Sequence, residues 1–312
     1  MSKERTHMSV GYIGLGRMGG NMALRLLECG VDLVVTDVSK DQAGAVLEAG
    51  ARWVDTAAEV AAEADVILTS LPGPPQVEQV AAGPGGLLEG MRPGSAWVDM
   101  STSSPVLIRA LAQRFAEKGV DVIDAPVSGG PQHCRAGELV IFVGAEDEQL
   151  ARVEPVLQHL ATEILHIGAL GAGAVAKLVN NATALGTWSL LSEVFSLGVK
   201  AGVDHQTLHG MLSKGAYGRG LILSQMLPGV AFKHNFDPAG FALNLGRKDI
   251  ALANALGRDL NVPLPVLNLV EQSAVEMVGR GHGDKDTAVV FSLQEERAGV
   301  VMHDGDAKEF TL

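Results

Sequence analysis

The chain has 312 residues, 47% hydrophobic, 19% charged and 4% aromatic, enough for two domains of ~100 to 200 residues and too apolar for a disordered chain. Asp and Glu (36) outnumber Lys and Arg (24), and the net charge of -12 argues against nucleic acid and anionic membranes as partners. Cys29 and Cys134 are the only cysteines, too few for a disulfide framework and without zinc-site spacing, which points to a reducing compartment and to no metal. No run approaches ~18 to 20 consecutive apolar residues, and residues 1–7 hold no apolar segment. A cytoplasmic protein is expected, with Met8 an alternative start and residues 1–7 a lead before the first strand.

From residue 8 to about 165, short β-rich runs alternate with helical patterns, the form of a parallel sheet with crossover helices. Strands are expected at 9–13, 33–36, 51–54, 66–70, 96–100, 120–124, 139–143 and 164–167. The clearest helices span 19–29, 39–49 and 104–118, closed by Gly30, Gly50 and Gly119. After Ile167 the strand signals stop, and helices are read at 174–201, 204–214, 221–227, 241–260, 265–277 and 287–296. The polar tail 303–309 is expected to fray.

The strongest local motif is Gly14-Leu15-Gly16-Arg17-Met18-Gly19, directly after the first strand and opening a helix. Gly14 permits the tight turn, Gly16 lets backbone approach a pyrophosphate, and Gly19 lets helix and strand pack closely. The next strand ends in Asp37, 23 residues after Gly14, where a dinucleotide fold places the acid that accepts from the ribose 2′-hydroxyl. A carboxylate there repels a 2′-phosphate, so NAD is favoured over NADP, with Lys40 softening the preference. Gly14, Leu15, Gly16, Met18, Gly19 and Asp37 are therefore candidate cofactor residues, together with Leu71, Pro72 and Thr102 after the fourth and fifth strands. The fold class is α/β: a Rossmann-type doubly wound, mostly parallel sheet over 1–167, then a helical domain over 168–312 entered by a spine helix at about 174–201.

Asp124 ends a strand, and Ser128-Gly129-Gly130 follows as a run whose N–H groups and hydroxyl suit a small carboxylate. An ordinary Ser-Gly-Gly loop is the competing reading. In the spine, Lys177, Asn181, Ala184 and Trp188 share one face, while Leu178, Ala182, Leu185 and Ser189 form a stripe expected to pack in a helical core. On the residues alone Lys177 and Lys248 read as solvated helix lysines. Leu245, Ile250 and Leu252 are candidate buried positions, and Phe236 and Phe241 read as core residues, with walls of the pocket as the alternative.

Four segments in order resemble the β-hydroxyacid dehydrogenase family over nearly the whole chain: the Gly14–Gly19 motif, Asp124-Ala125-Pro126-Val127-Ser128-Gly129-Gly130, the 171–181 run containing Lys177 and Asn181, and Lys248-Asp249-Ile250. The resemblance implies nicotinamide-dependent oxidation of a small β-hydroxyacid or reduction of its semialdehyde. It implies Lys177 as catalytic lysine, Asn181 as its partner with Asn180 the alternative, and Ser128, Gly129 and Gly130 as substrate contacts. It also implies Lys248 reaching toward the nicotinamide with Asp249 beside it, and a homodimer or homotetramer. The chain departs from many members at Pro131-Gln132-His133-Cys134 and at Glu138, which bears on substrate choice.

The rivals are an NADP-dependent semialdehyde, glyoxylate or imine reductase, and an NAD-sensing regulator without chemistry. His205 and His209 have i, i+4 spacing but lack the Glu of a zinc protease motif and read as a chance pair. Cys134 is read as a small pocket or surface residue. Arg219, flanked by Gly218 and Gly220, is a candidate clamp for a second carboxylate, with a surface loop arginine as the alternative.

Overall fold

The computed structural model describes residues 8–310 and 312; the expected lead at 1–7 lies outside the described residues. The chain divides into two compact units, Met1–Ala182 and Thr183–Leu312.

In the first unit the elements run β1 (Val10–Ile13), α1 (Gly19–Glu28), β2 (Leu33–Thr36), α2 (Gly44–Glu48), β3 (Arg52–Trp53), α3 (Ala57–Glu63) and β4 (Val66–Thr69). They continue with α4 (Pro74–Ala82), α5 (Leu87–Gly90), β5 (Ala96–Asp99), α6 (Pro105–Ala116), β6 (Asp121–Asp124), β7 (Val127–Ser128), α7 (Pro131–Ala136), β8 (Leu139–Gly144), α8 (Asp147–Leu157) and β9 (Ala161–Gly168). A 3-10 turn over Lys40–Ala43 precedes α2, so the helix expected at 39–49 is two shorter pieces.

The sheet order is β3-β2-β1-β4-β5-β6-β8-β7, with β9 beside β8. The strands from β3 to β6 are parallel, β8 is antiparallel to β6 and β7, and β9 is parallel to β8. Each of β1, β2, β4 and β5 is buried at all four positions, as a sheet covered by helices on both faces requires. Alternate residues then feed two cores. Tyr12, Val35, Leu68 and Val98 join α1 on one face, while Ile13, Val34, Ile67 and Trp97 join α3 and α6 on the other. The strand order reverses between β1 and β4, and ligands of doubly wound folds bind outside the carboxyl ends of the strands at such a switch point.

The spine helix, α9 (Ala172–Lys200), has 29 residues and crosses the boundary between the units. The stripe expected to pack in a helical core does not: Leu178 is 45% and Leu185 68% exposed, and Ala182 and Ser189 are exposed too. The physical reason is in the sequence itself. Apolar residues surround α9 on every side, so a single buried stripe is not defined by their spacing.

The second unit continues with α10 (His205–Lys214), a π-helical segment Ile222–Ala231, α11 (Leu243–Asp259), α12 (Pro265–Gly279) and α13 (Val290–Ala298). Pro228 lies inside the π-helical segment, where it lacks the N–H an α-helical bond would need. Phe236 is buried with Leu243, Met277 and Leu293. Phe241, Leu245 and Leu252 are 45%, 49% and 62% exposed, against the expectation that they are buried; the core side of α11 is instead Leu243, Gly246, Asn254 and Gly257. The tail does not fray either. The Asp304 N–H donates to the Phe232 carbonyl at 2.7 Å, and Lys233 pairs with Asp304 at 2.9 Å and Asp306 at 2.5 Å. Among the described residues no helix is long and apolar enough to cross a membrane.

Candidate active site

The turn after β1 is built on glycine for steric reasons. Gly14 has φ of 91°, and a Cβ there would lie 2.3 Å from the Ser70 carbonyl oxygen. At Gly19 a Cβ would lie 1.9 Å from the Gly14 carbonyl oxygen, so only glycine lets α1 close on the strand. Gly16 differs: a Cβ on it meets nothing within 4 Å. No side chain caps α1 and its first turn holds no acid, which leaves the positive end of the helix available to an anion.

A cavity of about 780 Å³ opens at this turn, lined by Gly14, Gly16, Met18, Gly19, Asp37, Leu71 and Pro72 among the expected cofactor residues. Its size suits a cofactor cleft, for which ~300 to 1,000 Å³ is usual. Leu15 is not in the lining; its side chain is buried and its N–H donates to Asp37 Oδ2 at 2.6 Å. Asp37 Oδ1 accepts from the Ser39 N–H at 2.9 Å, so the carboxylate is held at the end of β2. Thr102 is exposed beyond β5 and does not line the cavity. Lys248 belongs to the second unit, on α11, where it pairs with Asp249 at 3.0 Å.

Among the lining residues that escaped the sequence reading, Arg17 and Val38 bear most on a ligand. Arg17 is the one cation in the lining, inside the glycine turn, where a side chain facing solvent and one facing phosphate have the same sequence pattern. Val38 is fully exposed against the cavity; its place directly after Asp37 is the signal that would have found it, because an apolar face there suits a flat base.

Asp124 organises the second part of the site. It is 2% exposed; Oδ1 accepts from the Gly171 N–H and Oδ2 from the Ala174 N–H, each at 2.6 Å. The carboxylate thus seats the start of α9 against the end of β6. A Cβ at Gly173 would lie 2.3 Å from the Phe142 carbonyl oxygen, so glycine is needed for this approach. Burial is the main cause that pushes the Asp124 carboxyl above its usual range, against the two amide hydrogen bonds that lower it. Lys177 follows one turn into α9, half-buried, and that burial holds its ammonium below the usual lysine range. Asn181 lies one further turn along, its Oδ1 accepting from Asn180 Nδ2 at 3.3 Å.

Ser128, Gly129 and Gly130 are not an open loop. Ser128 lies in β7 opposite Val140, Gly129 has φ of 136°, and Gly130 precedes α7 with its N–H donating to His133 Nδ1 at 3.0 Å. One of the three expected donors is therefore engaged internally. Cys134 is a core residue, not a pocket or surface one: it is fully buried with Sγ 3.8 Å from Met18 Sδ, and burial pushes its thiol up to about 11, which leaves no ready thiolate.

Two family descriptions match the chain: the NAD binding domain of 6-phosphogluconate dehydrogenase over residues 9–168, and NAD-binding of NADP-dependent 3-hydroxyisobutyrate dehydrogenase over residues 171–293. The chain belongs to the β-hydroxyacid dehydrogenase family. It is 37% identical over 298 residues to a 2-(hydroxymethyl)glutarate dehydrogenase of Eubacterium barkeri, covering 96% of this chain and 98% of that one. It is 33% identical over 294 residues to the mitochondrial 3-hydroxyisobutyrate dehydrogenase of Mus musculus, covering 92% and 87%. A solved 3-hydroxyisobutyrate dehydrogenase of Mycobacterium tuberculosis with L-serine matches with a TM-score of 0.64 at 28% identity, over 93% of this chain and 99% of that one. An imine reductase from Pseudomonas sp. matches with a TM-score of 0.80 at 19% identity, over 93% and 100%, which shows a common fold. The protein is an NAD(P)-dependent dehydrogenase acting on the CH–OH group of a hydroxyacid, and the regulator without chemistry is set aside.

Proposed function

We propose that the protein interconverts a small β-hydroxyacid and its semialdehyde, with NAD as the preferred cofactor and Lys177 as the proton carrier. The observation that carries this reading is the Asp124 carboxylate, which caps the helix bearing Lys177 at the end of the strand that leads on to Ser128. A nicotinamide cofactor, held by the Gly14–Gly19 turn and Asp37, would supply the hydride acceptor or donor for the alcohol carbon. In oxidation a neutral Lys177 amine takes the hydroxyl proton and becomes an ammonium; in reduction the ammonium returns it to the forming alkoxide. The lowered lysine pKa favours the neutral form that oxidation requires. Asn181, one turn away, orients the lysine or substrate. Ser128 and Gly129 hold the carboxylate, with Gly130 contributing after its N–H leaves His133.

NAD is preferred because Asp37 presents a fixed carboxylate beside the cavity, while Lys40 lies over the Trp53 ring at 5.4 Å. Arg17 is assigned to the pyrophosphate. By family resemblance Lys248 is retained as a proposed cofactor contact. The domain assignment of 1–167 to cofactor and 168–312 to substrate and oligomerisation remains part of the proposal. A homodimer or homotetramer is part of the same proposal; the second unit's Leu185, Trp188, Leu223 and Leu269, each about 70% exposed, support it as apolar side chains a partner copy would cover.

A second reading concerns the acid. The 37% identical relative is named for 2-(hydroxymethyl)glutarate, a dicarboxylate, and Arg219 is exposed between Gly218 and Gly220. The test is NAD reduction with 3-hydroxyisobutyrate and 2-(hydroxymethyl)glutarate, using the parent protein and Arg219→Ala. Selective loss of the dicarboxylate supports the second reading; equal effects remove Arg219 from it. No turnover of any hydroxyacid or semialdehyde overturns the proposed function.

A further inference from the structure

The second unit carries a cluster unrelated to the dehydrogenase residues. His234 and Glu295 are 9% exposed each, and His234 Nε2 lies 3.1 Å from Glu295 Oε2. The His303 ring packs edge-on against the His234 ring at 4.3 Å between centroids. One ligand atom from each of the three residues can be chosen so that all lie within 4.8 Å of one another.

The geometry points to a binding site for a divalent transition cation, Zn²⁺ foremost, formed by His234, Glu295 and His303 at the base of the C-terminal tail. Two imidazoles and one carboxylate suit zinc and its neighbours, whereas magnesium and calcium take oxygen ligands. Bonds of ~2.1 Å at tetrahedral angles put ligand atoms about 3.4 Å apart, so the trio, within 4.8 Å of one another, closes on a cation by a movement of up to about 1.4 Å. His303, the one exposed member, stands on the tail and can supply that movement.

A second observation marks the same place. A cavity of about 460 Å³ is lined by all three residues and by Ser292. Ser292 is 4% exposed, and its Oγ is buried without a hydrogen-bond partner among the described residues. A buried hydroxyl of this kind is costly unless something satisfies it; a fourth ligand position, or a water on the cation, would do so.

The site would act on the tail. After α13 the chain turns through Gly299, with φ of 63°, and the Met302 N–H donates to Glu295 Oε1 at 2.6 Å. Phe310 packs on His234 and Phe236 at 5.8 and 5.0 Å. A cation bridging His303 to His234 and Glu295 would fasten this segment to the helical unit at one more point.

The test is Co²⁺ titration of the full chain, followed by its visible d–d absorption, with Zn²⁺ and Mg²⁺ as competitors. His205 and His209 lie one turn apart on α10 and can chelate by themselves, so every protein carries His205→Gln. We expect one Co²⁺ per chain, displaced by Zn²⁺ but not by Mg²⁺, and at least ~10-fold weaker binding in His303→Ala, an exposed position whose replacement leaves the circular dichroism unchanged. Glu295→Gln should weaken binding likewise. Zn²⁺ should also slow hydrogen exchange at the Met302 and Asp304 amides. Absence of binding, full binding in His303→Ala, or exchange at those amides indifferent to Zn²⁺ overturns the proposal.

Discussion

Replacing Asp124 by Asn removes a charge while keeping the shape, and the structure sets the size of the effect. Each carboxylate oxygen accepts one amide, from Gly171 and from Ala174, at 2.6 Å. Asparagine has a single acceptor oxygen, so one buried N–H must face an NH₂ group. A buried donor left without a partner costs about 1 to 3 kcal/mol, and losing a negative charge at a helix N-terminus costs up to ~1 to 2 kcal/mol. Relief from burying the charge offsets part of this, because burial is the main influence on the group. A net loss near 2 kcal/mol, with a urea slope of roughly 2 kcal/mol/M, moves the unfolding midpoint down by about 1 M. Lys177 stands three residues beyond Ala174, so a loosened helix start also displaces the proposed proton carrier. A misplacement of about 1 Å can cost ~100-fold in rate, and turnover is expected to fall at least tenfold of that range. NADH affinity should stay within about threefold, because Asp124 does not line the cavity proposed for the dinucleotide. Urea unfolding, steady-state rates and NADH fluorescence titration check the three parts. An Asp124→Asn protein with parental midpoint and turnover would refute the reasoning.

Asp99 gives a pH prediction. Burial foremost, with the Asp124 carboxylate adding, raises its pKa to about 6 despite bonds from Ser101 and Thr69. The folded protein therefore keeps a proton that the unfolded chain loses near pH ~4, and this group's contribution to stability declines as pH rises from ~4 to ~6, by about 3 kcal/mol in all. Asp99→Asn should flatten that decline in urea midpoints measured across the range; an unchanged slope contradicts it. Gly19→Ala places a Cβ 1.9 Å from the Gly14 oxygen, where ordinary contact begins at 3.4 Å; NADH affinity should drop more than ~10-fold while overpacking costs ~1 to 3 kcal/mol of stability, and parental affinity would show that the cavity is not the dinucleotide site. Asp37→Ala should narrow the preference for NAD over NADP in kcat/KM; a parental enzyme that favours NADP removes Asp37 from this role.

The glycine turn was legible because its residues answer to backbone sterics, which a sequence displays: Gly14 and Gly19 are where a Cβ meets a carbonyl oxygen. Asp37 was legible as the polar end of a buried strand. β7 was not, since two residues at 127–128 become a strand only by pairing with β8, a partner no local pattern specifies. The faces of α9 were illegible for a different reason, its apolar residues lying on all sides. The tail read as loose because it is polar, yet its acids meet Lys233 and its Phe310 enters an aromatic cluster, contacts across some seventy residues of sequence. Cys134 falls in the same class: only the packing of α7 on α1 puts it beside Met18.

The central claim is that Lys177 moves the proton while a separate cavity holds the dinucleotide. It is tested most directly by measuring turnover at saturating substrate and NADH affinity in Lys177→Ala, with Asn181→Ala alongside. A general acid–base group contributes ~10²- to 10⁴-fold, so Lys177→Ala should lose at least about 100-fold in kcat with NADH affinity within about threefold of the parent. Asn181→Ala should lose less, since an amide orients but carries no proton at neutral pH. Turnover near the parental value in Lys177→Ala, or loss of NADH binding with it, would contradict the account.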